Sequence, residues 1–271
     1  MSAAGDQRGV EWLCVGECLR FSRRHRRYLV IFVSLYLHSL RHWAHARAAR
    51  YGFCFLQLYD DIMDGDRATA TSPDDVAAQT IAAWETGAFR QNTTLERIGR
   101  ALHAALHTVP LLPGDDPHGD VLALLRAMHV DARRIATASV LTASEVKEQL
   151  RGTFHHSLNV LLIASRLRTR AREVPDLVEA MGWCSVARDL DEDLRKGLVN
   201  VPSEVVARVH AAGDALTSRH PEVQRWLALE KMAVRSHLDG AATELHAIAR
   251  RDPGAGQLLG LFLHSIERYA R

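Results

Sequence analysis

The chain has little of several features that would point to common classes of protein. Runs of β-branched residues bounded by turns are almost absent, which disfavours a β-sheet fold. The sequence contains neither a Gly-x-Gly-x-x-Gly motif nor a P-loop, so nucleotide binding has no support. The longest apolar stretch, residues 28–40, is too short to span a bilayer and contains His38. These absences favour a helical globular protein.

Net charge is also low, at +2 for 271 residues, which argues against nucleic acid as a general partner. The exception is a basic N-terminal segment, residues 1–27, which we expect to be partly flexible. Its arginines surround His25: Arg20, Arg23, Arg24, Arg26 and Arg27. Such a patch could guide an anionic substrate, touch anionic lipid or form a solvated helix start, and the last is the favoured interpretation.

The four cysteines form no paired Cys-x-x-Cys motifs, which predicts free thiols and a reducing compartment. Cys14 and Cys18 lie one helical turn apart, but two thiols without a nearby pair of histidines make a poor zinc site. The first residues carry no apolar signal-peptide region. We therefore expect a soluble cytoplasmic protein, and transient peripheral contact with membranes, to collect or release oily molecules, is compatible with this interpretation.

What the chain does have is alanine, leucine and arginine in helical patterns, with 47% hydrophobic residues, enough for a packed core. The patterns predict helices at 28–64 (one or two), 75–90, 94–109, 118–138, 143–168 and 175–197, two more opening near 203 and 220, and a last one reaching Tyr269. Ser72 is a predicted N-cap, and residues 109–120 are predicted to form a surface loop. The expectation is one all-α domain spanning 1–271.

Two clusters of acidic residues stand at the ends of predicted helices. The first holds Asp60, Asp61 and Asp64, and the second holds Asp189, Asp191, Glu192 and Asp193. Residues four apart share a helix face, so Asp60 lies above Asp64 and Asp189 above Asp193, with Ser185 one turn further along. Oxygen ligands in such rows suit Mg²⁺, which bridges carboxylates to substrate phosphates. Solvated acidic faces are the alternative, and the repeated spacing favours metal.

The same faces continue into apolar residues, which predicts a cavity that is acidic at its rim and apolar below. Phe53, Leu56 and Gln57 precede the first cluster, and Val178 and Met181 precede Ser185. This shape suits an amphipathic ligand with a charged head and a hydrocarbon tail. Metal bound to a diphosphate lowers the barrier to breaking an allylic carbon–oxygen bond, and an apolar pocket then shields the carbocation from water.

Aromatic rings could stabilise such a cation. The candidates are Phe53, Phe55, Tyr59, Phe154, Trp183 and Phe262, each with core filling as the more common alternative. Of the adjacent pair His155 and His156, one could line the cavity and deprotonate a late cation, but one buried and one exposed histidine is the favoured interpretation. Around HVDARR, Asp131, Arg133 and Arg134 are expected to pair at the surface.

Both acidic segments resemble those of one family. FLQLYDDIMDGD is similar to the aromatic-x-Arg-x-x-Asp-Asp-x-x-Asp segment of squalene and phytoene synthases, and SVARDLDEDLRKGLVNVP is similar to their second acidic segment. In the second, the matching residues are Arg188, Asp189, Glu192, Asp193, Gly197 and Pro202. The resemblance runs from about residue 28 to the C-terminus. It implies the all-α class I isoprenoid synthase bundle around a central cavity.

The resemblance also implies roles for individual residues. Magnesium, as three ions with the diphosphate, would be held by Asp60, Asp61, Asp64, Ser185, Asp189 and Asp193. Arg188 would contact the diphosphate. A prenyl diphosphate would be the substrate, and its chain would lie against Phe53, Gln57, Tyr59, Phe154, Met181, Ser185 and Phe262.

The chain departs from the family pattern at several positions. Gln57 stands where the family has Arg, Ser185 where it has Asn, Leu198 where it has a second Arg, and Asn200 where it often has Tyr. A hydroxyl can replace an amide as a magnesium ligand, but each missing Arg removes a bidentate partner for a second diphosphate.

We therefore expect a one-substrate terpene synthase that ionises farnesyl or geranylgeranyl diphosphate and cyclises or quenches the cation. Head-to-head coupling of two prenyl diphosphates is the first alternative, because the founding members of the family catalyse it. A non-catalytic prenyl-binding protein or partner subunit is the second, because the family's cationic positions are altered. The intact metal carboxylates argue against that second alternative.

Overall fold

The computed structural model describes residues 3–24, 32–33, 35–37 and 39–270. These residues form helices, with no β-strand among them, which confirms the predicted all-α class. His25, Arg26 and Arg27 of the basic segment lie outside the described residues, as do positions 28–31, 34 and 38 of the long apolar stretch. No helix in the described part of the chain combines the length and hydropathy that crossing a membrane requires.

The helices follow one another with short connections. They are α1 (Ala3–Arg24), a 3-10 turn (Leu40–His42), α2 (Arg47–Met63), α3 (Pro73–Thr86), α4 (Thr94–Leu106), α5 (Pro117–Thr137), α6 (Ala143–Ala164), a second 3-10 turn (Ala171–Glu173), α7 (Pro175–Lys196), α8 (Ser203–Ala211), α9 (Pro221–Arg251) and α10 (Pro253–Ala270).

Most of the predicted helices are confirmed within a few residues, because their start signals are strong. The side chain of Ser72 accepts a hydrogen bond from the backbone N–H of Asp75, as the predicted N-cap requires. Thr93 and Glu96 form a complete capping box at the start of α4. The loop predicted at 109–120 lies between α4 and α5, although its last residues already belong to α5.

Contacts divide the chain into two compact units, each built from two stretches of sequence. Unit 1 contains Met1–His129 and Val160–Arg166, and unit 2 contains Val130–Asn159 and Leu167–Arg271. Helices α5 and α6 each contribute residues to both units. The prediction of a single domain stays a prediction.

In unit 1, α2 packs against α4, and a glycine permits their close approach. A Cβ atom at Gly99 would lie 2.8 Å from the ring of Phe55 and 2.9 Å from the ring of Phe89, so any larger residue would push these rings away. The fully buried core of the unit includes Phe55, Leu58, Tyr59, Ile98, Leu102, Leu106, Leu124 and Leu125. This core supports the helix that ends in the first acidic cluster.

Helix α1, which the sequence interpretation did not include, is tied to this core by an ion pair. The buried guanidinium of Arg50 donates to Glu11 at 2.5 Å and to the carbonyl of Trp43 at 2.9 Å, and it lies 3.8 Å from the centroid of the Trp43 ring. All four cysteines are free, as predicted, and all four are buried. Cys14 and Cys18 of α1 are almost wholly buried, which makes them part of its packing face.

In unit 2, α9 packs against both α7 and α10. The segment after α7 folds back to form an apolar cluster with the end of that helix. Its buried members are Leu190, Val201, Val205, Val206, Val209 and Val223. The second acidic cluster therefore lies at the end of a helix that is anchored on several sides.

Candidate functional site

The first acidic cluster closes the C-terminal end of α2. The backbone N–H of Asp64 bonds to the carbonyl of Asp60 at 2.8 Å, and the N–H of Arg67 bonds to the carbonyl of Asp61 at 2.9 Å. Asp61 is buried, whereas Asp60 and Asp64 are partly exposed. The amide of Gln57 donates to a carboxylate oxygen of Asp60 at 3.3 Å. The residue at the position where the resembled motif has arginine thus contacts one carboxylate of the first acidic cluster.

An ion pair from α1 holds the turn that follows this cluster. Arg67 donates to the buried carboxylate of Glu17 at 2.6 Å, and Glu17 also accepts from Arg20 at 2.9 Å. Arg67 stands three residues after Asp64, so the pair fixes the chain where it leaves the acidic row. Sequence reasoning missed this contact because Glu17 and Arg67 are 50 residues apart.

Of the other unit 1 residues predicted to line a substrate pocket, Tyr59 is fully buried and its hydroxyl donates to the carbonyl of Leu125 at 3.2 Å. Burial also raises the pKa of Tyr59 above its ordinary value. Phe53 and Gln57 are partly buried on the same helix. Tyr59 is therefore committed to the core through its hydroxyl, and the pocket role of all three stays a prediction.

The second acidic cluster lies on the last turns of α7. The guanidinium of Arg188 bonds to both carboxylate oxygens of the adjacent Asp189, with Nε at 2.9 and 3.1 Å. The Arg188 side chain is 43% exposed and the Asp189 side chain 20% exposed, so the pair meets solvent at one edge. An exposed guanidinium can exchange part of such a contact for bonds to another anionic group.

Asp193 is held by a network that the sequence did not reveal. The Asn200 amide donates to Asp193 at 3.2 Å, and the Asn200 carbonyl oxygen accepts from Arg134 at 3.1 Å. Arg134 also donates to Asp131 at 2.8 Å and to the backbone carbonyl of Val199 at 2.6 Å. A cation on α5 therefore orients a carboxylate on α7 through one amide.

The expectation that Asp131, Arg133 and Arg134 pair at the surface is wrong for Arg134. Its side chain is only 5% exposed, while that of Asp131 is 28% exposed. Burial raises the pKa of Asp131, and the neighbouring Arg134 and the amide of Gln149 oppose that rise. Arg134 is buried because Asp131, Gln149, Asn200 and the chain after α7 supply its partners, and a buried guanidinium needs them all.

The turn after α7 uses Gly197 in a left-handed conformation, with φ at +86°. The backbone N–H of Leu198 then bonds to the carbonyl of Asp193 at 2.9 Å. Any L-residue at position 197 would be strained, which gives the glycine of the resembled motif a physical reason. Asp193 is thus fixed through its main chain by the turn and through its side chain by Asn200.

Four predicted pocket residues of unit 2, Phe154, Met181, Ser185 and Phe262, are each partly buried. A groove of about 190 Å³ between α6, α7 and α9 has a different lining. Its walls include Val146, Leu150, Val178, Gly182, Trp183, Trp226, Val234 and His237. Its volume is below the range of about 300–1,000 Å³ of typical ligand pockets, so alone it would not enclose a prenyl chain.

His155 and His156 do not divide into one buried and one exposed residue, as the sequence suggested. Both are partly buried, and their rings lie 5.5 Å apart in an edge-to-face arrangement. Consecutive residues point in different directions from a helix, yet neither His155 nor His156 is exposed.

The donor set of each acidic cluster fits magnesium. Asp60, Asp61 and Asp64 in unit 1, and Asp189 and Asp193 in unit 2, offer only carboxylate oxygens, which are the hard ligands that Mg²⁺ prefers. Within unit 2, Ser185 lies one turn before Asp189 on α7 and adds a hydroxyl. The two clusters belong to different units.

Comparisons with models of protein families and with curated proteins returned no match for this chain.

Proposed function

We propose that the protein is a magnesium-dependent terpene synthase that ionises a prenyl diphosphate, farnesyl or geranylgeranyl, and cyclises or quenches the resulting cation. The observation that carries the proposal is the support given to Asp193. Its carboxylate is oriented by Asn200, which a buried arginine fixes in turn. A buried cation needs several partners, whereas a partly exposed carboxylate can be solvated by water and has no structural need for such a support.

The proposal assigns metal binding to the acidic residues and diphosphate binding to Arg188. Asp60, Asp61 and Asp64, and separately Ser185, Asp189 and Asp193, would hold magnesium. The bound metal would neutralise the charge that develops on the leaving diphosphate. Arg188 would donate to diphosphate oxygens, exchanging part of its contact with Asp189 for the substrate. Its exposure of 43% leaves the guanidinium accessible for that exchange.

The departures from the family motif favour one substrate over two. Gln57 and Leu198 are uncharged where the resembled family has arginines, so two charge-assisted partners for a second diphosphate are missing. Coupling of two substrates remains the competing function, and the product of the reaction separates the two.

The test is incubation of the purified full-length chain with Mg²⁺ and a single prenyl diphosphate, geranyl, farnesyl or geranylgeranyl, followed by mass spectrometry of the extract. The proposal expects a terpene or terpene alcohol with the carbon number of its substrate. A product with twice that number would replace it by the coupling function. Binding without turnover of any of the three would support the non-catalytic alternative.

A further inference from the structure

Three histidines at the junction of α4 and α5 converge in unit 1. His103 lies in the last turn of α4, His107 directly follows that helix, and His118 lies in the first turn of α5. One ring nitrogen from each lies within 4.8 Å of the others. The ring centroids of His118 are 4.4 Å from those of both His103 and His107.

The surroundings of His118 leave its ring nitrogens without a protein partner. Both Nδ1 and Nε2 are inaccessible to solvent and make no hydrogen bond. The backbone is nevertheless fixed, because the indole N–H of Trp84 donates to the His118 carbonyl at 2.9 Å. Ring nitrogens that are inaccessible to water and make no hydrogen bond are unfavourable, and a ligand that bonds to one of them would remove that cost.

Two rings of the cluster also have lowered pKa values. Burial, followed by the proximity of His103 and His107, lowers the pKa of His118 to about 4, although Asp116 opposes this shift. Burial likewise lowers the pKa of His103. Imidazoles that stay neutral at neutral pH keep a lone pair available for coordination.

We propose that His103, His107 and His118 bind a divalent transition metal ion of the Zn²⁺ class. Three imidazoles satisfy three positions of a tetrahedral zinc ion, and the exposed side of His107 leaves the fourth open to water. Ligand nitrogens about 2.0–2.1 Å from zinc lie roughly 3.4 Å apart, so small ring rotations bring the three nitrogens into range. Imidazole donors favour Zn²⁺, Co²⁺, Ni²⁺ or Cu²⁺ over Mg²⁺.

Such an ion would join the two ends of the loop between α4 and α5. His103 and His107 lie at its start and His118 lies just after its end, so one metal ion would link the chain at positions 107 and 118 into a closed loop. This loop contains two prolines, Pro110 and Pro113, together with Gly114, and exposed Leu111 and Leu112 add no packing of their own. Closing it would stabilise the folded chain, since metal binds the folded form.

The test uses tag-free, full-length protein that has been stripped of metal with a chelator. Titration with Zn²⁺ by calorimetry should give one tight equivalent, and Co²⁺ should give the intense visible absorption of a tetrahedral site. His107→Gln should weaken binding at least about 100-fold, since loss of even an outer-shell partner costs 10–100-fold. His107 is exposed, so this variant should fold as the parent does.

A matched control is required because the chain has 15 histidines. His246 is exposed on α9, outside the cluster, and His246→Gln should bind Zn²⁺ with unchanged affinity. His118→Asn, checked for folding by circular dichroism, should abolish the Co²⁺ spectrum. Absence of stoichiometric binding by the parent, or equal affinity in His107→Gln, would overturn the proposal.

This site is independent of the proposed terpene synthase function. Zn²⁺ and Co²⁺ binding are measured without Mg²⁺ or a prenyl diphosphate. Binding of Zn²⁺ without turnover of a prenyl diphosphate would support the histidine site alone. Turnover without binding of Zn²⁺ would support the synthase function alone.

Discussion

The ends of α2 and α7 carry carboxylates at the same four-residue spacing, but the groups that bond to these carboxylates are not the same. At the end of α2, Asp60 accepts from the neutral amide of Gln57. At the end of α7, Asp189 accepts from the Arg188 guanidinium, and Asp193 accepts from an amide that Arg134 fixes. Equal spacing in sequence therefore does not imply the same contacts, because at the α7 end one guanidinium bonds directly to a carboxylate and another fixes the amide that orients a second carboxylate.

The largest effect is expected from substitutions that remove one carboxylate at the end of α2 or of α7. Asp60→Asn and Asp189→Asn should each lower kcat/KM by at least about 10³-fold, because each loses a negative ligand for magnesium at a site of developing charge. Steady-state kinetics on the substrate identified by product analysis measures the loss. Circular dichroism should show an unchanged helix content.

Asp191→Asn is the matched control on α7. This exposed residue accepts a hydrogen bond from Ser218 and belongs to the acidic segment. It does not lie on the helix face formed by Ser185, Asp189 and Asp193, which are spaced four residues apart. Its variant should keep nearly full activity. Full activity in either Asp60→Asn or Asp189→Asn would contradict the proposed magnesium role of the acidic cluster on the substituted helix.

The second test removes the buried cation behind the α7 end. Arg134→Met should lower the free energy of unfolding by about 2–3 kcal/mol, less than for a fully buried pair because Asp131 is 28% exposed. Urea denaturation measures the change. Arg133→Met, at the exposed neighbouring position, should change stability by less than about 0.5 kcal/mol. Equal changes in the free energy of unfolding for the two variants would contradict a supporting role of Arg134 at the end of α7.

A third test separates positioning from folding at the α7 end. Asn200→Ala should lower kcat about 10-fold, because Asp193 loses the amide that orients it. The Mg²⁺ concentration for half-maximal rate should rise, while KM for the prenyl diphosphate should change less. Asn200→Asp should be worse, since a second carboxylate would repel Asp193. A loss of stability without any change in Mg²⁺ dependence would leave Asn200 a purely structural role.

The smallest effect is expected from a substitution at the end of α2. Gln57→Arg places a guanidinium beside Asp60, which should compete with magnesium and raise the Mg²⁺ requirement a few-fold. The carbon number of the product should stay that of one substrate. A new product of doubled carbon number would show that this single position decides between one substrate and two.

The helices were largely predictable because their signals are local. Ser72 and the Thr93 capping box mark starts within four residues of sequence, and Gly197 marks an end by its conformation. The acidic spacing was predictable for the same reason. Whether it binds metal cannot be deduced from spacing alone.

Contacts between distant residues were not predictable. Arg134 looked like a surface residue because its partner Asn200 is 66 positions away, and α1 escaped notice because its stabilising pair, Glu11 and Arg50, spans 39 positions. The histidine cluster had a partial signal, since His103 and His107 share a helix face. His118 lies beyond the loop, so only the fold brings it to them.

The interleaving of the two units has a consequence for how the chain is made on the ribosome. Unit 1 takes its last residues from Val160–Arg166, at the end of α6. Its packing therefore cannot be completed until position 166 has left the exit tunnel, by which time residues 130–159 of unit 2 have already emerged. Fragments cut at any single point up to that position would leave unit 1 unfinished.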